Sequence, residues 1–321
     1  MKNLRIILLG LIFGVAYAHN LDDHILIVNT SREDTGMLIM YANSSLEPLC
    51  FLHCAMGNDF NIGEWNNASN TTIAAFARGK SMGITGNVNW TDSSESVQIR
   101  LRDEIPISLV VWVLYGDSAT MRFAALEAIQ KTNQIWNTER MGIRIDSMDY
   151  RYRASRGIPD TLLSIPQSDW DRIRALKSLV GYEYGKINVY YIANVSESPI
   201  RGAGKSGDSA LILLGSLSSP TLLAHELGHT FRLVHTNHLP QFDAMNVMHS
   251  ASDARLYLTE GQIYRVHVDA RSALNAVYHA GLPSSVHIQL PETAAHGACP
   301  ELSARIWPDG TLPPSKSTTH N

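Results

Sequence analysis

The sequence predicts an α+β protein in which a main domain of strands and helices follows a small β-rich region. A continuous apolar run at 107–115 is typical of a strand buried on both faces. Helical periodicity follows this run through about 138 and returns at 220–231, after two further apolar runs. Short alternating segments separated by Asn, Ser, Thr and Gly occupy 19–105, which is the pattern of short strands and turns.

Residues 1–18 are typical of a signal peptide. A basic start and an apolar core lead to Ala16-Tyr17-Ala18, an A-x-A cleavage pattern. The apolar core is too short to span a bilayer. We therefore expect a secreted protein, extracellular or periplasmic, whose mature chain begins near His19.

The composition indicates a globular chain. Its 321 residues are 45% hydrophobic, which is enough for a sizeable core and about two domains. A net charge of −4 without a basic block points to neither nucleic acid nor an anionic membrane as a partner. The oligomeric state cannot be read from the sequence. Among the cysteines Cys50, Cys54 and Cys299, the first two are close in sequence and are the expected disulfide pair in an oxidising compartment.

Residues 19–105 are predicted to form a permanent β-rich domain or a propeptide. Strands are expected at 24–28 and 37–42, and apolar residues alternate with polar ones at 97–101. The pattern changes near Pro106, which we take as the start of the main domain.

Residues 106–281 are predicted to form that main domain. In chain order we expect a strand at 107–115, a helix through about 138, strands at 142–150 and 187–195, a flexible loop at 202–207 and a strand at 210–214. The first helix should turn four residues inward, namely Ala125, Leu126, Ile129 and Trp136. Residues 168–181 should form a short helix or a loop insertion.

The end of the chain is predicted to hold one more helix and a tail. The helix should run from Leu258 to about His279, with Thr259 as its N-cap. Residues 282–321 are rich in Pro, Ser and Thr, which predicts an irregular tail.

The strongest pattern is H-E-x-x-H followed by a third histidine. Positions four apart lie on one face of a helix, so His225 and His229 can direct both imidazoles at one ion. Glu226 then lies beside the ion, where it can act on a bound water. His235 is the expected third ligand, and three protein ligands leave a fourth position open, as in catalytic zinc sites.

The helix that carries this motif must be short. Ser219 is a suitable N-cap and Pro220 a suitable first residue. The helix should end near Phe231, because a continued helix would place His235 about 9 Å further along the axis than His229.

The motif resembles the signature of metzincin zinc peptidases, H-E-x-x-H-x-x-G-x-x-H with a downstream methionine turn. The sequence N-V-M ending at Met248 matches that turn, and Thr236 is similar to the serine that matrixins carry after the third histidine. Arg232 departs from the signature, because the family usually has glycine there. Glycine suits a positive φ, and any other residue there costs roughly 1 kcal/mol or more.

The resemblance implies one catalytic Zn²⁺, with Glu226 as the general base, Met248 as an apolar floor, and His225, His229 and His235 as the ligands. It implies a metzincin-like fold, with a twisted mixed sheet and helices before the active-site helix and a short lower subdomain after it. It also implies a protein or peptide substrate that lies extended along an edge strand, expected at 210–214. Matrixin-like propeptides block the zinc with a cysteine, which the N-terminal region could supply.

Three functions are open at this stage. The first is a secreted zinc endopeptidase. The second is a catalytically inactive binding module on the same scaffold, supported only by Arg232, and the third is a zinc hydrolase of a non-peptide amide. A gluzincin arrangement with Glu260 as third ligand is a rival to His235. Ser250 stands where related sequences carry a tyrosine, so we expect zinc and backbone donors to stabilise the oxyanion.

Overall fold

The computed structural model describes residues 25–29, 35–42, 48–55, 59–61, 71–76, 79–84, 97–154, 157–207, 210–237, 244–250 and 254–280. The signal-peptide pattern and the tail at 282–321 lie outside these ranges, so both stay predictions. Within the described ranges, no helix is long and apolar enough to cross a membrane.

Among the described elements, strands and helices alternate from residue 105 to 180, and four strands then precede the last three helices. The strands are β1 (Ile25–Asn29), β2 (Thr35–Ala42), β3 (Pro48–Ala55), β4 (Asp59–Asn61), β5 (Thr71–Phe76), β6 (Lys80–Ser81), β7 (Gly83–Ile84), β8 (Val97–Arg100), β9 (Arg102–Asp103), β10 (Ile105–Val113), β11 (Ile143–Tyr152), β12 (Ser164–Ile165), β13 (Ile187–Ile192), β14 (Asn194–Val195), β15 (Gly202–Lys205) and β16 (Leu211–Gly215). The helices are α1 (Ser118–Thr138), α2 (Asp160–Leu163), α3 (Trp170–Val180), α4 (Leu222–Thr230), α5 (Glu260–Val268) and α6 (Ala273–Ala276).

A five-stranded mixed sheet forms the centre of the main domain. Its strand order is β11-β10-β13-β16-β15. The first four strands are parallel to their neighbours, and β15 is antiparallel to β16. The chain is therefore a mixed α/β structure with helices packed on a mixed sheet.

Both faces of the sheet are covered, which explains the continuous apolar runs of its strands. Side chains alternate between the faces along each strand. Val111 and Tyr191 belong to the core shared with α1 and α4. Trp112 and Tyr190 point the other way, into a second core shared with α2 and α3.

Helix α1 begins at an N-cap, Asp117, whose side chain accepts hydrogen bonds from two backbone N–H groups of the first turn. Ala125 and Trp136 are buried as predicted. The prediction for Leu126 is wrong, because this side chain is 49% exposed and only its neighbour at 125 faces the sheet. The segment 168–181 forms a helix, α3.

The edge of the sheet differs from the prediction. The sequence predicts a flexible loop at 202–207, but Gly202–Lys205 is strand β15. The strand expected at 210–214 is β16, and it lies between β13 and β15 rather than at the edge. The physical reason is the hairpin: β15 folds back antiparallel on β16 and covers it.

The last helical segment is shorter than predicted. Thr259 is the N-cap and forms a capping box with Gln262, which confirms the predicted start. The predicted end near 279 is wrong, because α5 stops at Val268 and α6 follows as a separate turn. The C-cap of α5 is Asp269, whose carboxylate accepts a hydrogen bond from the backbone N–H of Arg271, and this bond favours a turn over a helix.

The N-terminal region is β-rich, with strands at each of the three places expected. They form a sheet of order β4-β1-β8 and a sheet of order β3-β2-β5-β7. The expected Cys50–Cys54 disulfide conflicts with this backbone, because both residues lie in strand β3. Four residues of extended strand separate Cα atoms by about 13 Å, and a disulfide spans less than about 7 Å.

Part of this region packs into the main core. Met82 is 1% exposed and belongs to the same buried cluster as strand β10. Gly142 allows the approach, because a Cβ there would lie 2.5 Å from the Cα of Ser81. The side chain of Arg102 donates to the carbonyl of Ala280 at the far end of the described chain.

Candidate metal centre

Helix α4 carries the predicted motif and is buried between the sheet and α1. Leu223 and Leu227 belong to the main core, which fixes the helix from one side. The helix begins at Leu222, two residues later than predicted. Ser219 is not its N-cap: the Ser219 carbonyl accepts the N–H of Leu222 in a tight turn, and its hydroxyl lies 3.2 Å from that of Thr221.

The helix ends at Thr230, as the position of the third histidine requires, in a turn that reverses the chain. The N–H of Leu233 donates to the carbonyl of Gly228, and the N–H of Arg232 donates to that of His229. This pair of bonds is the Schellman pattern, which normally has glycine at the position occupied by Arg232. Arg232 adopts φ 72°, the left-handed conformation that the glycine would take.

The structure brings His225, His229 and His235 together. The Nε2 atoms of His229 and His235 are 3.0 Å apart, and those of His235 and His225 are 3.3 Å apart. One ligand atom from each histidine lies within 4.8 Å of the other two. Within the described residues, no other group of His, Cys, Asp and Glu side chains is arranged in this way.

Two of the histidines are held by backbone carbonyls at their second nitrogen. Nδ1 of His225 lies 2.7 Å from the carbonyl of Val247, and Nδ1 of His229 lies 2.9 Å from the carbonyl of Leu233. A carbonyl only accepts, so each Nδ1 carries the proton and each Nε2 is left with a lone pair. Fixing the far nitrogen in this way prepares an imidazole to bind a metal.

The distances fit a small divalent cation. Ligand nitrogens at about 2.0–2.1 Å from a tetrahedral centre are about 3.3 Å apart, close to the two Nε2 separations in this cluster. The Nε2 lone pairs of His225 and His229 both lie beside Nε2 of His235, where a cation among the three nitrogens would be attracted to them. The three imidazoles therefore could hold one metal ion, and three ligands leave one position of a tetrahedral centre unfilled.

Burial keeps the imidazoles of His225 and His229 neutral. Desolvation is the main cause that lowers the pKa of His225 well below its usual value, and the nearby His229 and Arg255 lower it further. Desolvation also lowers the pKa of His229 to about 4. A neutral imidazole is the form that binds a metal, so the site is ready for an ion at neutral pH.

Glu226 is almost fully buried next to the histidines. Its side chain is enclosed by strand β15, because a Cβ on Gly202 would lie 2.6 Å from its Oε1. Desolvation raises the pKa of Glu226 to about 8, against the positive charge of Arg255. Oε2 is buried and has no hydrogen-bond partner within the described part of the chain, so it is available to a water or substrate. A bound dication would favour the ionised carboxylate.

Met248, the methionine of the predicted turn, packs against helix α4 at Gly228. Its side chain is fully buried, and its sulfur would be 2.3 Å from a Cβ on Gly228. The turn is held by Asn246, which accepts the N–H of Met248 and exchanges hydrogen bonds with the Gln262 side chain. The same turn presents the Val247 carbonyl to His225, so it orients a predicted ligand.

Three residues near the site are absent from the sequence prediction. Arg255 is 3% exposed, and its charge acts on His225, His229 and Glu226. Gly202 makes room for the carboxylate, and Asp269 forms an ion pair with Arg232. Tertiary packing brings these residues to the site, so no local pattern marks them.

Of the alternative ligands, the structure describes the side chain of His249. This histidine does not belong to the three-histidine group. His238 and the side chain of Glu260 lie outside the described residues, so the gluzincin alternative stays a prediction.

The chain matches no protein-family model, and no curated protein matches it. Among solved structures, 61 chains are similar. One is metalloproteinase-II from Bacteroides fragilis, with a TM-score of 0.39 and 10% identity, covering 75% of this chain and 84% of that one. Another is a chaperone–substrate complex, with a TM-score of 0.36 and 10% identity, covering 73% of this chain and 39% of that one. These scores are too low to carry an argument about function, which rests on the residues of the site.

Proposed function

We propose that this chain is a secreted zinc endopeptidase of the metzincin type. The observation that carries the proposal is the convergence of the three Nε2 atoms next to buried Glu226, which lies on helix α4 with His225 and His229. Three histidines with an open fourth position are a ligand set of catalytic zinc. The signal-peptide pattern at 1–18 supports secretion.

In this proposal His225, His229 and His235 bind the ion, and Glu226 acts first as the general base and then as the general acid. Zinc, when bound, lowers the pKa of a coordinated water towards about 7 and polarises the scissile carbonyl. The carboxylate of Glu226 accepts a proton from the attacking water and then donates it to the amide nitrogen of the leaving group. The burial of Glu226 excludes bulk water and strengthens its interactions with the reacting atoms.

The open edge of β15 is the proposed substrate-binding strand. Among the described strands, β15 pairs with β16 alone, so its other edge offers unpaired backbone N–H and C=O groups. An extended peptide can add to such an edge as a further strand. Gly202 and Gly204 pack this strand directly against Glu226 and His229, so a peptide bound along it would pass beside the catalytic glutamate.

The binding-module alternative rests on one departure from the signature, Arg232. Arg232 takes the left-handed φ that the glycine of the signature would take, which supports the peptidase proposal. The turn therefore keeps its course, and His235 reaches the other two histidines.

The test is mass-spectrometric mapping of cuts in a broad peptide library by the chain that begins near His19. We expect cuts at internal peptide bonds that disappear on chelation and return with zinc. A chain that holds stoichiometric zinc and cuts no peptide would contradict the proposal, and would favour a binding module or a hydrolase of non-peptide amides.

A further inference from the structure

The turn after helix α4 contains an arginine in a conformation that costs free energy. Arg232 has φ 72°, where glycine is the usual residue and long side chains are uncommon. A residue in such a conformation persists when its surroundings hold it there. The contacts of the Arg232 side chain identify what holds it.

The Arg232 side chain forms an ion pair with Asp269, at the end of helix α5. Its carboxylate is 5% exposed and lies 3.7 Å from Nε of Arg232. Asp269 is itself fixed: the backbone N–H of Arg271 donates to its Oδ1 at 2.9 Å, and Nη2 of Arg265 lies 3.8 Å from its Oδ2. The Arg232 guanidinium is thus paired in charge, with no hydrogen bond at its Nε within the described residues, with a buried carboxylate at the end of a different helix.

The same turn determines the orientation of His229 and the position of His235. The carbonyl of Leu233, the residue after Arg232, lies 2.9 Å from Nδ1 of His229 and orients that imidazole. His235 follows two residues later, and its Nε2 reaches that of His229. A change of backbone angle at Arg232 would move both the orienting carbonyl and the chain that carries His235.

We infer that Arg232 and Asp269 are positioning residues of the metal centre. Their ion pair holds the turn that orients His229 and places His235 beside it. The inference rests on the proposed function only in treating the three histidines as metal ligands. It assigns helix α5, whose C-cap is Asp269, a role in metal affinity. The competing explanation is that Arg232 is strained and merely tolerated.

Arg232→Gly separates the two explanations by the direction of its effect. Glycine adopts the same φ without strain but has no side chain to anchor the turn. Loss of a group that orients a metal ligand typically costs about 10–100-fold in metal affinity, and we expect a weakening of that order. If Arg232 is merely tolerated, zinc affinity stays the same or rises. Arg232→Lys keeps the charge and should recover most of the affinity.

Arg271→Ala is the matched control. It removes an arginine whose Nε lies 4.0 Å from the same carboxylate and whose side chain is 64% exposed, outside the turn. The backbone N–H that binds Asp269 is retained, so zinc affinity should not change. Asp269→Asn should weaken zinc binding as Arg232→Gly does. Because this variant leaves Arg265 without its buried counter-charge and can unfold, Arg232→Gly and Arg232→Lys decide between the two explanations.

The measurement is competition for zinc between a chromogenic chelator and the full apo chain, with unfolding of the apo chain followed in parallel. A 10–100-fold loss in Arg232→Gly, with recovery in Arg232→Lys and no change in Arg271→Ala, supports the inference. Equal affinity of wild type and Arg232→Gly overturns it, as does a wild-type chain that binds no zinc. A wild type that binds zinc but cuts no peptide contradicts the proposed peptidase and leaves the positioning role intact.

Discussion

Gly202→Ala tests whether the contact between strand β15 and Glu226 positions the catalytic base. A Cβ at this position would lie 2.6 Å from Oε1 and 2.8 Å from Cδ and Cγ of Glu226. Ordinary contacts begin at 3.4 Å, so the strand and the carboxylate must move apart by about 0.8 Å. The φ of Gly202 lies outside the left-handed region, so alanine brings a steric effect without backbone strain.

A misplacement of about 1 Å in a catalytic group can lower the rate about 10²-fold, and we expect a fall in kcat/KM of that order. The zinc content should stay stoichiometric, because the added methyl group meets Glu226 and not the histidines. The assay is cleavage of a peptide found in the library screen, with zinc measured on the same sample. An unchanged kcat/KM would refute the positioning argument, and a loss of zinc would show that the strand supports the ligands instead.

Two further predictions concern stability. Burial lowers the pKa of His267 to about 4, below the unfolded value of about 6.5, so its contribution is present at neutral pH and is lost as the pH falls. From about pH 7.5 to about pH 5 the free energy of unfolding should drop by about 2 kcal/mol through this residue. His267→Gln can still donate to the carbonyl of Met141. In urea unfolding curves this variant should lose the part of the pH dependence that comes from His267. Identical pH profiles for variant and wild type would contradict this prediction. A chain beginning at residue 106 should be less stable than one beginning near His19 by about 2–5 kcal/mol, because it lacks the buried side chain of Met82; equal unfolding midpoints would show that this packing is dispensable.

The local parts of the site could be predicted from the sequence. The spacing of His225 and His229 follows from helix periodicity alone, and the need for His235 to join them predicts a helix end near Phe231. The capping box at Thr259 is likewise a short-range pattern. Each of these features depends on residues within one or two turns of each other.

The parts that depend on strand order and on distant contacts could not be predicted. Strand β15 has two glycines in four residues, a composition that favours a loop, and only pairing with β16 makes it a strand. The contact between Arg232 and Asp269 joins residues far apart in sequence, and no periodicity records it. The same holds for Cys50 and Cys54, whose closeness in sequence becomes a wide separation once β3 is extended.

Glu226→Gln at equal zinc occupancy is the most direct test of the central claim. Glutamine keeps the size of the side chain and leaves the three histidines unchanged, so zinc content and folding should match the wild type. General acid–base catalysis contributes about 10²–10⁴-fold, and peptide cleavage should fall by at least that factor. Cleavage at the wild-type rate by the zinc-loaded variant would contradict the account.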